Sequence, residues 1–264
     1  MSNPASLYGK TAVVTGASSG IGRDIARQLA KYGCDLVLVA RREERLRILQ
    51  QELVKAHARD VLILPFDLAA PGAIEALYQQ TGGSGRVVDI LVNNAGFAIY
   101  EDYPDIPWER ERLLYEVNML AVTHLTRCFL KDMLARNQGY ILLVASIMGY
   151  FPVPVYTTYS ASKAFLMNYG LSLSYELRKT GVSVTTVAPG ATDTEFLQVS
   201  GQKLNLAERF FMMKSSDVAR SAVQAMLQRR VKVVIGTRNI LVVALLRLLP
   251  DRVASWLAHA IISG

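Results

Sequence analysis

A glycine-rich turn between a β-forming run and a helical run constrains this chain more than any other segment. Thr11–Thr15 is short, apolar and β-rich; Thr15-Gly16-Ala17-Ser18-Ser19-Gly20-Ile21-Gly22 follows it, and Ile21–Tyr32 reads as a helix. Glycine at 16 permits a tight turn, glycine at 20 admits a pyrophosphate close to the backbone, and glycine at 22 lets the helix pack closely on the sheet. The free amides and partial positive charge of the helix N-terminus face the same place, which suits a dinucleotide.

The rest of the chain alternates in the same way. Strands are expected at Leu36–Ala40, Val61–Pro65, Val87–Val92, Tyr140–Val144, Val182–Val187 and Lys232–Ile235. Helices are expected at Arg42–Ala58, Pro71–Gln80 with its proline in the first turn, Trp108–Arg136 and Thr157–Lys179. Short, continuously apolar strands separated by helices imply an α/β fold with a doubly wound, mostly parallel sheet of the Rossmann type. Thr81–Gly85 reads as a surface loop, and with no linker, repeat or low-complexity stretch the expectation is a single domain over 1–264.

Composition sets the limits. Hydrophobic residues make up 51% of the 264 positions, enough for a large core, which excludes a disordered or fibrous chain. Lys and Arg number 29 against 22 Asp and Glu, but they are dispersed. Their densest group, Arg41, Arg42, Arg45 and Arg47, is interrupted by Glu43 and Glu44, so a solvated surface is expected and nucleic-acid binding is not. Two isolated cysteines, Cys34 and Cys128, suit a reducing compartment. No secretory signal or membrane span is read, so a cytoplasmic location is expected. His57, His124 and His259 lack ligand-like spacing, and no metal site is expected.

The Gly-x-x-x-Gly-x-Gly spacing resembles that of the short-chain dehydrogenase/reductase family. The same resemblance extends through Asn93-Asn94-Ala95-Gly96, Ser146, Tyr159-Ser-Ala-Ser-Lys163 and Pro189-Gly190 with Thr192 and Thr194, in the family's order over roughly Leu7 to Gly236. It implies a hydride-transfer enzyme with a tetrad of Asn118, Ser146, Tyr159 and Lys163, and delivery from the B face of the nicotinamide. Tyr159 and Lys163, four apart, fall on one helix face, and a nearby ammonium would lower the phenol's pKa. Ser146 would polarise a substrate carbonyl beside the tyrosine hydroxyl. In the family Asn118 distorts its helix and holds a water linking the lysine to solvent, and the lysine also bonds the nicotinamide ribose. The cofactor would lie along Gly16, Ser18, Ser19, Gly20, Ile21 and Gly22, with Asp67 at the adenine amino group and Asn94, Ala95 and Gly96 at the adenosine ribose region. Pro189, Gly190, Thr192 and Thr194 complete that set.

The tip of the second strand selects the cofactor. It ends in Ala40 without an acid, and Arg41 and Arg42 follow, which favours NADP(H) because guanidinium matches a 2′-phosphate in charge and shape. Tyr156, with no lysine four residues on, reads as a pocket or packing residue, and Tyr150 and Phe151 as an aromatic rim or core. The family places a substrate lid at 192–213; here its Phe196, Leu197, Leu204, Leu206, Phe210, Phe211, Met212 and Met213 suggest a hydrophobic carbonyl or alcohol substrate. Residues 237–264 form a hydrophobic C-terminal segment, whose stretch Ile240 to Ile262 is expected to pack on the body, cover the pocket or join subunits of a homo-oligomer. A contact with a membrane surface is the second expectation. The alternatives left standing are an NAD-dependent alcohol dehydrogenase and a non-catalytic, dinucleotide-sensing regulator.

Overall fold

The strands Thr11–Thr15, Asp35–Val39 and Ile90–Asn93 at the heart of the sheet are short and buried on both faces, as their largely apolar runs demand. The computed structural model describes residues 7–57, 60–202 and 212–263. Its elements run β1 (Thr11–Thr15), α1 (Gly20–Lys31), β2 (Asp35–Val39), α2 (Glu43–His57), β3 (Val61–Leu64), α3 (Ala73–Gln79), β4 (Ile90–Asn93), α4 (Trp108–Tyr115), α5 (Ala121–Ala135) and β5 (Gly139–Val144). After these come α6 (Thr157–Glu176), β6 (Val182–Ala188), β7 (Thr192–Asp193), α7 (Phe196–Ser200), β8 (Met213–Lys214), α8 (Ser215–Leu227), β9 (Lys232–Val234), α9 (Thr237–Leu246) and α10 (Asp251–Ser263). Seven strands form one parallel sheet in the order β3-β2-β1-β4-β5-β6-β9, and β7 pairs with β8 separately.

Successive side chains of a strand point to opposite faces, and the two apolar layers show it. Val14, Leu36 and Leu38 pack with Ile25, Leu29, Leu46 and Val223 on the layer of α1, α2 and α8. Val13, Val37 and Val39 pack with Leu77, Leu125, Phe129 and Leu166 on the layer of α3, α5 and α6. The strand order reverses direction between β1 and β4, so a crevice opens at their carboxyl ends, where such folds bind ligands.

Three boundaries differ from the sequence reading, each for a local reason. The third helix starts at Ala73 after Gly72, which is left-handed (φ 72°), so Pro71 lies ahead of the helix. The fourth strand begins at Ile90, and Val87 is exposed. The expected helix 108–136 is interrupted by a π-helical turn, Glu116–Leu120, which contains Asn118. The hydrophobic C-terminal segment forms two helices, α9 and α10, because Pro250 cannot continue the first.

Gly170 lets α6 lie directly on β6: a Cβ there would stand 2.0 Å from Thr186 Oγ1 and 2.9 Å from Leu143 Cδ1. Gly170→Ala is therefore expected to destabilise the fold by about 1–3 kcal/mol through overpacking, read as a lower urea midpoint at unchanged slope.

Candidate active site

The turn after β1 is built for close backbone approach. Gly16 (φ 67°) and Gly20 (φ 53°) adopt the left-handed region, and a Cβ on either would strike Asn94 Nδ2 at 2.6 Å or Thr194 Cγ2 at 2.8 Å. Gly22 faces inward instead, with Gly16 O only 2.4 Å from where its Cβ would be, so it packs the turn rather than lining the crevice. Ser19 precedes α1 but makes no side-chain cap, and the first turn holds no acid. The helix N-terminus thus keeps the amides and partial charge that favour a bound phosphate.

A cavity of about 650 Å³ runs from this turn along the ends of the strands. Gly16, Ser18, Ser19, Gly20, Ile21, Arg41, Arg42, Asp67, Asn94, Ala95 and Gly96 line one part of it. Ser146, Tyr159, Lys163, Pro189, Gly190, Thr192 and Thr194 line the rest. Asn118 stands behind the wall. Asn94 does more than face the cavity: its Nδ2 donates to Thr15 O (2.9 Å), which braces the turn against β4.

Ser146 lies two residues past the end of β5, capping the short turn that follows, and Tyr159 and Lys163 share the buried face of α6. The Ser146 hydroxyl, which accepts from Met148 N at 3.2 Å, lies near enough to Tyr159 to favour its ionised form. The Lys163 ammonium lies 5.5 Å from the centre of the Tyr159 ring and donates to Val144 O at 3.0 Å. Burial draws the Lys163 pKa down to about 8. Burial also pushes the Tyr159 phenol upward; the neighbouring Ser146 hydroxyl pulls the other way, and Tyr156 adds to the rise. Desolvation is the largest influence on the phenol and favours its protonated form. Asn118 is fully buried in the π-helical turn. Its Oδ1 accepts from Phe97 N (3.1 Å), and its Nδ2 donates to Phe97 O (2.9 Å) and Ser162 Oγ (3.1 Å). Gly96 keeps the space before it open, since a Cβ there would meet Asn118 Oδ1 at 2.9 Å and Lys163 Nζ at 3.5 Å.

The far end of the cavity is apolar. Phe151, Phe196, Val199, Val242, Leu246 and Ala258 line it, so α7 and the C-terminal helices both contribute wall. Tyr156 is buried there, donates to Gln202 Oε1 and packs 5.8 Å from the Tyr159 ring, a packing and lining role. Tyr150 sits outside the cavity lining, with the Lys232 ammonium 5.1 Å from its ring. Met213 lies in β8; Leu204, Leu206, Phe210 and Phe211, and the Leu197 side chain, lie outside the described residues. Sequence reasoning missed Gln202, because no spacing along the chain signals its contact with Tyr156; it allowed Ile240–Ile262 to cover the pocket, and Val242, Leu246 and Ala258 are the residues of that stretch in the lining.

Proteins of known family share this fold. The family model for short chain dehydrogenase matches residues 10–205. An uncharacterized oxidoreductase of Bacillus subtilis, YvaG, is 39% identical over 193 residues, covering 72% of this chain and 70% of that protein. A short-chain dehydrogenase from Sphingobium yanoikuyae, solved in complex with NADPH, superposes with a TM-score of 0.82 at 31% identity, over 86% of this chain and 88% of that one. A short-chain dehydrogenase/reductase from Burkholderia phymatum, solved in complex with NAD, has a TM-score of 0.81 at 25% identity, over 90% of this chain and 93% of that one.

The buried lysine supplies a direct test. In the cofactor-free protein the Lys163 ammonium should lose its proton near pH 8 rather than above 10. The folded chain then binds fewer protons than the unfolded chain between those values, so this group's contribution to stability rises with pH across that window. NMR titration of lysine Cε resonances should show one early transition, absent in Lys163→Met.

Proposed function

The chain belongs to the short-chain dehydrogenase family, and from that premise we propose that it interconverts a carbonyl and an alcohol with NADP(H), on a hydrophobic substrate, with Tyr159 as acid and base. The convergence of Ser146, Tyr159 and Lys163 on one cavity below the glycine-rich turn carries this reading. The left-handed glycines and the uncapped start of α1 fit a dinucleotide phosphate, so Gly16, Ser18, Ser19, Gly20 and Ile21 would hold the cofactor, with Asp67 and Asn94–Gly96 toward its adenosine end. A nicotinamide dinucleotide bound there supplies or accepts the hydride.

The protein's own part is proton transfer and positioning. The Ser146 and Tyr159 hydroxyls would bond the substrate oxygen from one side. A phenol that burial keeps protonated can give its proton to a developing alkoxide, and the Lys163 ammonium offsets the negative charge left on it. Asn118 acts as a positioning residue, pinning the Phe97 backbone beside the site. Phe196, Leu246 and Ala258 would exclude water and receive an apolar substrate body. In this reading 192–213 covers the substrate and 237–264 forms the opposing wall. NADP(H) over NAD(H) rests on Arg41 and Arg42 in the lining and on the missing acid at the tip of β2. The NAD-dependent reading has no comparable contact behind it, and a silent dinucleotide sensor would have no use for the convergence at Tyr159.

Assembly is part of the proposal. Leu120, Leu134, Leu171 and Tyr175 are exposed on the long helical faces of α5, its π-helical start and α6, which suits pairing into a homo-oligomer. The C-terminal pair favours the second reading, contact with a membrane surface: it buries Val243, Leu246, Ala254 and Ala258 but exposes Leu241, Leu245, Leu248 and Trp256. Among the described residues no helix is long and apolar enough to cross a membrane. Sedimentation should show a dimer or tetramer; a monomer that floats with anionic vesicles would support the membrane reading instead.

A carbonyl panel followed through NADPH absorbance tests the activity. NADPH should bind at least about tenfold more tightly than NADH, and Arg41→Asp should reverse part of that difference. Tyr159→Phe should keep the fold and cofactor binding while lowering turnover by about a hundredfold or more. A larger loss in Tyr156→Phe than in Tyr159→Phe would refute the assignment.

A further inference from the structure

Two guanidiniums meet one carboxylate beside the glycine-rich turn. Arg42, directly before α2, donates from Nη2 to Ser19 Oγ (2.9 Å) and Ser18 Oγ (3.1 Å), and from Nη1 to Glu195 Oε2 (2.8 Å). Arg45 Nη1 donates to the other oxygen, Glu195 Oε1. Glu195 follows Thr194 and precedes α7, so it belongs to the segment that covers the apolar end of the cavity.

The arrangement is that of an anion site with an internal anion. Arg42 and Arg45 carry like charge, the nearby N-terminus of α1 adds partial positive charge, and the Ser18 and Ser19 hydroxyls complete the donor set. A carboxylate and a phosphate present the same kind of oxygen pair to a guanidinium fork. The two arginines hold the Glu195 carboxyl far below its ordinary range, to about 2, so it is charged at any working pH. Yet the side chains stay 36–45% exposed, and exposed ion pairs are weak enough to exchange partners.

We propose that Arg42, Arg45, Ser18 and Ser19 bind the 2′-phosphate of the cofactor and that Glu195 is its internal competitor, which the phosphate must displace. Glu195 thereby determines specificity. A dinucleotide without the 2′-phosphate leaves the Glu195 clasp closed, whereas one with it releases the residue between Thr194 and Phe196. Phe196 packs 5.4 Å from the Tyr159 ring, so the release is felt next to the reacting group. This inference rests on the NADP(H) reading and adds Arg45 and Glu195 to it.

The test measures NADPH and NADH dissociation constants for the unmodified protein, Glu195→Gln and Glu195→Gln/Arg45→Gln. Glu195→Gln keeps the shape and removes the charge. It should tighten NADPH about fivefold, the scale expected for losing exposed ion pairs, and change NADH less than twofold. Adding Arg45→Gln should then weaken NADPH and leave NADH unchanged. An unaltered NADPH-to-NADH ratio in Glu195→Gln, or equal weakening of both cofactors, would overturn the proposal and leave Glu195 as a structural tie. The ratio in the unmodified protein separately decides the cofactor reading: equal affinities there would overturn that reading, while the change on Glu195→Gln still judges this one.

Discussion

The site hangs on a knot of hydrogen bonds where β1 and β4 end. The Thr15 hydroxyl donates to Val92 O (3.1 Å) and accepts from the amides of Asn94 (3.0 Å) and Ala95 (3.1 Å). Asn94 returns its side-chain amide to Thr15 O. These bonds satisfy backbone groups that a strand leaves unpaired at its tip, which a buried chain cannot leave unmet. They also join the two segments that diverge at the switch point, so the turn around Gly16 and the run Asn94–Phe97 move as one body. From Phe97 the chain of contacts passes to Asn118, then to Ser162, whose hydroxyl donates to Tyr159 O at 2.7 Å. The phosphate-facing turn and the helix that bears Tyr159 are thus held in one network of backbone and amide bonds.

Burial then sets the chemistry. Tyr159 and Lys163 are both more than nine-tenths buried, and each is pushed toward its neutral form. A lone buried ammonium is costly, and the Val144 carbonyl with the face of the Tyr159 ring offsets part of that cost. The same desolvation strengthens any interaction made there with a developing charge. The dry end of the cavity, walled by Phe196, Leu246 and Ala258, lowers the dielectric in which that interaction acts.

Much of this was legible along the chain. The strands are short apolar runs whose period of two distributes Val13, Val37 and Val39 to one layer and Val14, Leu36 and Leu38 to the other. Tyr159 and Lys163 are near neighbours in sequence on one helix, so their shared face follows from helical geometry alone. The π-helical turn at Glu116–Leu120 had no periodic signal; only the resemblance of Val117-Asn118-Met119 pointed to a distortion there. The C-terminal segment was legible as a hydrophobic stretch, but not in how it divides. Pro250 divides it, and half of its aliphatic side chains face outward.

Sequence alone determined the alternation of apolar strands and helices, the glycine-rich turn and the Tyr159–Lys163 pair, because each is written in residues within a turn or two of one another. Tertiary structure decided how these parts meet. It brought Ser146 to Tyr159, joined Gln202 to Tyr156, closed the cavity with Val242, Leu246 and Ala258, and set Glu195 on Arg42 and Arg45. It also set how deeply Tyr159 is desolvated, which depends on everything packed around the phenol and not on its neighbours along the chain.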